Sequence, residues 1–288
     1  MKLIKLASIT KKLAVGALAA FLLIFLPFHM GMNLCILRDD GGEWYRNVCH
    51  FMGTNYIVKC FEIVLLLCVV FHIVLTFILW LENRAARPVR YAVSQKSKTH
   101  QGSKWMIITG GLIFVFLVLH FINFYFAKTG LVEGKYVVKV EKVQKAFSAK
   151  AMAIQQGQMK EADMQKLQKE YMSIMAAGEK LASDGKYYVN LSKQDLQTYF
   201  GENVEEYDYE PDFYNMARDL FHNPLYVIIY LLSFVILAIH LLHGVVSVFQ
   251  TYGLMNEKYS KAISYLAIIY AIVIPLGFAI VPIQVILF

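Results

Sequence analysis

Long apolar runs alternate with short polar ones along this chain, and one long polar stretch breaks the rhythm. The apolar runs cover Leu13–Ile36, Tyr56–Leu81, Trp105–Ala127, Pro224–Gly253 and Ala262–Phe288. Each is long enough to cross a bilayer, because ~20 residues rising 1.5 Å apiece span a hydrocarbon core of ~30 Å. The pattern predicts an all-α integral membrane protein whose five transmembrane helices form a bundle. Lys2, Lys5, Lys11 and Lys12 precede the first run as they would in a signal peptide. That run is too long for a signal h-region and no small-residue cleavage site closes it, so it is expected to be retained. Pro27 is expected to kink it.

The polar stretch, residues 128–223, forms an insert between the third and fourth helices. Over residues 128–220 it carries 13 Lys/Arg and 15 Asp/Glu. Val138–Ala182 is rich in helix formers, with Met164, Leu167, Tyr171, Ile174 and Met175 at helical spacing. The insert is therefore expected to be largely helical, in one or two amphipathic helices. Leu37–Asn55 is expected to be a short mixed loop with Trp44, Tyr45 and Tyr56 as interfacial residues.

Charge sets the orientation. The segment Glu82–Lys104 holds Arg84, Arg87, Arg90, Lys96, Lys98 and Lys104 against one acid, Glu82. The positive-inside rule places it in the cytoplasm together with the N-terminus. Five helices then put the insert and the C-terminus outside. The chain is 58% hydrophobic and 17% charged, where a soluble domain carries about 25% charge. The net charge of +7 resides mainly in loops and forms no nucleic-acid-binding arm. The four cysteines, Cys35, Cys49, Cys60 and Cys68, make no CxxC pair, so no zinc or iron–sulfur motif is present. Cys35 and Cys49 flank one loop and are either two free thiols or a disulfide.

Candidate chemistry lies inside the apolar runs. His29, His72 and His120 each sit within one span, and His240 and His243 within another. Ionisable groups at membrane depth are costly and mark functional sites by default, although a lone intramembrane histidine can simply hydrogen-bond a neighbouring helix. A low-spin b-type haem takes two neutral imidazoles on opposite faces, and two haems take four. Depth sorts the four helices. His29 is 17 residues beyond Lys12 and His120 is 16 beyond Lys104, so both lie ~25 Å from the cytoplasmic edge. His72 is 10 residues before Glu82, ~15 Å from that edge, and His240, 16 past Pro224, is in the inner part of its helix. His29 with His120 would form an outer pair, and His72 with His240 an inner pair. His243 lies on the same face as His240 and would either hydrogen-bond a haem propionate or be the ligand in its place. His50, His100 and His222 lie in loops or at helix ends. Phe71, Phe121 and Phe124 would pack a porphyrin, as they would pack any core.

The segments FHMGMNL (28–34), LENRAARPVRYAV (81–93), LHFINFYFAK (119–128) and HLLHGVVSVFQTYGL (240–254), with His50-Phe51-Met52 before the second helix, carry a family resemblance. The chain resembles the five-helix di-haem cytochrome b anchor of succinate:quinone oxidoreductases (succinate dehydrogenase or fumarate reductase), particularly the Bacteroides-type single subunit. The resemblance covers roughly two-thirds of the chain. It implies His72 and His240 as ligands of the haem proximal to the iron–sulfur subunit, and His29 and His120 as ligands of the distal haem. The family's spacing from the fourth ligand to a closing aromatic–Gly pair, here Tyr252-Gly253, implies His240 rather than His243. Two features depart from the family: the long insert, and Ala238 where some di-haem members have an acidic residue.

The resemblance further implies two b haems and a membrane quinone, menaquinone for this group, in a bacterial cytoplasmic membrane. A flavoprotein and an iron–sulfur subunit would dock on the cytoplasmic face around Arg84, Arg87 and Arg90. No flavin or dinucleotide motif is present, so dicarboxylate chemistry belongs to a partner. Near the outer haem, His50, Tyr45 and Glu62 are the candidate quinone contacts. Dimerisation of the whole complex is left open. Two alternatives stand beside this expectation: the cytochrome b subunit of a hydrogenase or formate dehydrogenase, with catalytic partners outside, and a haem-free transporter or assembly protein.

Overall fold

The computed structural model describes residues 7–86, 102–156 and 209–288. Between 156 and 209 it describes 164, 165, 168, 169, 172, 178–180, 187–192 and 194. The chain divides into two compact units. The first comprises Met1–Cys35, Met52–Val118 and Asn223–Phe288, and the second Ile36–Phe51 and Leu119–His222.

The first unit is helical. It contains α1 (Ser8–Leu34), α3 (Tyr56–Ala85), most of α4 (Gly102–His120), α8 (Pro224–Thr251) and α9 (Ser260–Leu287). Five helices among the described residues are long and apolar enough to cross a membrane, which makes this a multi-pass membrane protein. Helix starts follow local chemistry. The Asn55 side chain accepts from the N–H of Ile57 at 2.9 Å and caps α3. Asn223 caps α8 through the N–H of Leu225 at 3.0 Å, with Pro224 in the first turn where its missing N–H costs nothing. Gly253, at φ +73°, ends α8 by letting the N–H of Leu254 turn back to Phe249 O at 2.9 Å.

α8 packs along α9, and α1 packs against α3, α8 and α9. The seam between α8 and α9 holds Val245, Val246 and Ala267, with Leu23, Phe249 and Tyr270 against it. α1 approaches through small residues and backbone. A Cβ at Gly16 would stand 3.1 Å from Thr251 Cγ2, and one at Gly277 would overlap Met30 Sδ. Tyr252 Oη donates to Leu13 O at 3.1 Å. Pro27 does not end α1; the helix continues through it. A proline has no N–H for the carbonyl four residues back, here Leu23 O. Tyr270 Oη from α9 donates to that carbonyl.

α3 extends four residues past the expected Leu81, because Glu82 belongs to the helix rather than to the loop. Lys11 is 2% exposed and donates to Glu82 Oε1 at 2.7 Å, joining the start of α1 to the end of α3. The two helices are therefore antiparallel neighbours with their charged ends level. α3 has no fully buried residue, and Ile63, Val70, Phe71 and Phe77 are all exposed, as lipid-facing side chains would be.

The second unit differs from expectation in two places. The presumed loop holds α2 (Glu43–Thr54), whose first turn is supported by Asp40 accepting from the N–H of Gly42 at 3.0 Å. Its alternation of Tyr45 inward (8% exposed) and Trp44 outward (49%) has a helical period that the mixed composition hid. In the insert, a sheet stands beside the expected helices among the described residues. β1 (Lys135–Lys139), β2 (Gly178–Lys180), β3 (Tyr187–Ser192) and β4 (Glu210–Pro211) form one antiparallel sheet in the order β2-β3-β1-β4. Lys135 pairs with Ser192 and Lys139 with Tyr188. KYVVK and YYVNLS are rich in β-branched and aromatic residues, and each pairs with a strand distant in sequence. The helical expectation survives in α6 (Val140–Gln155); Leu167, Tyr171, Ile174 and Met175 lie outside the described residues.

α4 runs on from His120 through a π-helical turn, Phe121–Tyr125, to the short α5 (Phe126–Lys128). Tyr136 on β1 is buried and donates to Ala127 O at 2.8 Å. α7 (Phe213–Phe221) is capped by Asp212, whose side chain is fully buried. Asp212 accepts from Arg46 Nε at 3.1 Å and from Asn215 Nδ2 at 2.8 Å, so α2 is clamped to the start of α7.

Candidate functional site

Both histidines of the expected inner pair lie in the first unit. His240, on α8, lies close enough to His72, on α3, and to His243 for their charges to interact. The His72 ring lies near the backbone of Val15 on α1, and its Nδ1 is buried with no hydrogen-bond partner among the described residues. Val15 is 14 residues before His29, ~21 Å along α1. His72 thus lies nearer the level of Val15 than that of His29.

His240 is held from a third helix. Thr109 on α4 is 7% exposed, and its Oγ1 lies 3.1 Å from His240 Nδ1. The same hydroxyl donates to Trp105 O at 3.1 Å and Met106 O at 3.2 Å. Gly110 leaves the ring edge clear, since even a Cβ there would stand 3.5 Å from His240 Cε1. α4 also meets its neighbouring helix through Phe116, edge-on to Tyr230 at 5.0 Å and to Phe234 at 6.0 Å.

The outer candidates fall in different units, and each has its own setting. His29, half-buried, stacks on Phe25 at 5.2 Å and tilts against Phe278 at 5.5 Å. Phe278 in turn stacks on Phe234 at 5.7 Å. Asn33 donates to His29 O at 2.7 Å, and its amide lies 3.4 Å from His29 Nδ1. In the second unit, His120 immediately precedes the π-helical turn and lies 5.2 Å from the Phe124 ring. Single π-turns inside α-helices are rare and recur at functional sites, because they rotate the residues that follow.

The remaining expected site residues scatter. His50 Nδ1 meets Glu210 Oε1 at 2.6 Å, with both side chains reaching solvent. Tyr45 is buried in the same unit, away from the exposed interfacial position expected of it. Glu62 is half-buried in the second turn of α3, in the first unit. Arg84 is exposed, its guanidinium 5.5 Å over the Trp80 ring; Arg87 and Arg90 lie outside the described residues, as does His100. His222 Nδ1 bonds Arg218 O at 2.6 Å and closes α7. All four cysteines are free thiols, so Cys35 and Cys49 form no disulfide.

These surroundings fit a bis-imidazole haem at the inner level. An axial histidine needs one nitrogen turned to the iron and the other held by a neighbour. His72 has one nitrogen buried and unsatisfied, and His240 has Nδ1 held by a hydroxyl. Thr109, Glu210 and Tyr270 went unnoticed in the sequence. A single threonine in an apolar run is a visible signal, but nothing local says which histidine it reaches. No family model, characterised protein or solved structure matches the chain.

Proposed function

We propose that this chain is a di-haem cytochrome b membrane anchor of a succinate:quinone oxidoreductase, carrying electrons between an iron–sulfur subunit and a membrane quinone, menaquinone by resemblance. The observation that supports it most is the convergence of His72 and His240 from separate helices, one with an unsatisfied nitrogen and the other with Nδ1 held by a third helix. When bound, each haem would supply a one-electron ferric–ferrous couple. His72 and His240 would hold the inner haem, and His29 and His120 the outer one. The burial and polarity of their surroundings would set the potential together with the ligands.

The other assignments follow from this one. Arg84 marks the basic cytoplasmic end of α3 where an iron–sulfur subunit would dock. A quinone needs an apolar slot with a few groups able to exchange protons at its carbonyls. His50 has such chemistry, with Glu210 beside it, and Tyr45 and Glu62 are the other candidates. The bilayer would be the bacterial cytoplasmic membrane.

The test is a pyridine-haemochrome assay with a dithionite-reduced spectrum on the complex purified through a tag on this chain. The expected result is two low-spin b haems per chain, with flavoprotein and iron–sulfur subunits co-purifying. His72→Ala or His240→Ala should remove one haem and leave the other. A folded chain with no haem would return the histidines to a transport or assembly role. Haem with an extracytoplasmic catalytic partner would point instead to a hydrogenase or formate dehydrogenase anchor.

A further inference from the structure

We propose that Thr109 is a positioning residue for His240: its hydroxyl accepts the Nδ1 proton and so presents the Nε2 lone pair of His240 to a metal. The proposal rests on the inner-haem assignment above and deepens it.

Proton counting carries the inference. A threonine hydroxyl has one proton and two lone pairs. The Thr109 proton is directed to the backbone, between Trp105 O at 3.1 Å and Met106 O at 3.2 Å. What faces His240 Nδ1 at 3.1 Å is therefore a lone pair, and Nδ1 must be the donor. A neutral imidazole has a single N–H, so Nε2 carries the free lone pair. An imidazolium would satisfy the same contact, but a buried cation at this depth is costly. Thr109 is 7% exposed, so water has little access to the contact.

Two consequences follow. The ring is fixed in rotation, because turning it would leave Nδ1–H unsatisfied in an apolar bundle. A hydrogen bond accepted from Nδ1–H also makes the imidazole a stronger electron donor, which favours the ferric state and lowers the potential. The hydroxyl further distinguishes His240 from His243, three residues on, as the member of the HLLH pair whose tautomer α4 sets.

The experiment compares Thr109→Val, which keeps the shape and removes the acceptor, with Thr109→Ser, which keeps the acceptor. Both are made in the whole complex. The readouts are haem content, the midpoint potential of each haem by redox titration of the α band, and the low-spin ferric EPR signals. Thr109→Ser is expected to match the wild type. Thr109→Val is expected to weaken retention of one haem by about 10–100-fold, or to raise its potential by ~59 mV for each tenfold loss of preference for the ferric state. The second haem should be unaffected. Thr109→Ala takes the same measurements if Thr109→Val fails to assemble. Both potentials and both EPR signals unchanged in either variant, with two haems bound, would overturn the role of Thr109 while leaving the haem assignment standing. A wild-type complex without haem would overturn both.

Discussion

Single side chains in this protein do work that their neighbours in sequence create. Pro27 strips Leu23 O of its helical donor, and Tyr270 from another helix replaces it. In an apolar medium a bare carbonyl is expensive, so Tyr270→Phe should destabilise the bundle by roughly 1–3 kcal/mol. In a Pro27→Ala background the helix supplies its own N–H, and the same substitution should cost less than half as much. A double-mutant cycle on detergent-solubilised protein, followed by unfolding in SDS, checks this; equal costs in both backgrounds would show that Tyr270 acts elsewhere. Asp212 presents a related case. Its carboxylate is fully buried against Arg46, and Arg46→Ala should cost ~3–5 kcal/mol by leaving that charge uncompensated. Tyr136 gives the pH dependence. Burial, and the nearby Tyr209, raise its pKa above the ordinary 10.0. The folded state holds the phenol proton more tightly than the unfolded chain, so this contribution is intact below pH 10 and falls as pH rises beyond it. Circular dichroism of the Tyr136→Phe protein should show less alkaline loss of sheet between pH 10 and 12 than the wild type, despite the missing bond to Ala127 O.

At the scale of elements, close packing in the first unit depends on residues with little or no side chain. α1 crosses α9 where Gly277 leaves room for Met30, and the residue before Met30 is His29, held between Phe25 and Phe278. Gly277→Ala should therefore push α1 away, at ~1–3 kcal/mol for overpacking, and disturb His29 before any other histidine. Met30→Ala should relieve the clash. The readout is loss of one haem signal in Gly277→Ala and its recovery in the double variant. The π-turn after His120 works in the same register. Phe124, four residues on, meets the His120 ring at 5.2 Å, and the wider turn shifts the residues after it relative to a regular α-helix.

The whole molecule combines a helical unit with a second unit in which the insert builds its own sheet and borrows α2. Ile36–Phe51 and Leu119–His222 hold together through Arg46–Asp212, His50–Glu210 and the β1-centred sheet. If the assignment of four histidines to two haems is correct, alanine at His72 and at His240 should have the same phenotype. Alanine at His29 and at His120 should share a different one. Reduced-minus-oxidised spectra of the four single variants check this pairing. Any variant that removes both haems in a folded complex would argue against two independent levels.

The five helices and their ends within a few residues were legible in the sequence. Hydrophobic length alone separates a membrane span from a soluble helix, and an ionisable residue within it is conspicuous. Residue spacing from charged ends gives His72 and His29 different expected depths, because the rise of an α-helix is fixed. The sheet in the insert was not legible. KYVVK and YYVNLS become strands by pairing with each other across roughly fifty residues, and periodicity within either segment is too short to announce it. α2 was hidden for a similar reason, since its stability comes from Arg46 reaching Asp212 far along the chain. Only the tertiary structure could connect Thr109 to His240, Tyr270 to Leu23 and Glu210 to His50. Each of these bonds joins groups distant in sequence, so its energy appears only after the helices have packed, whereas helix formation in an apolar medium is dictated locally by the backbone's need for hydrogen bonds.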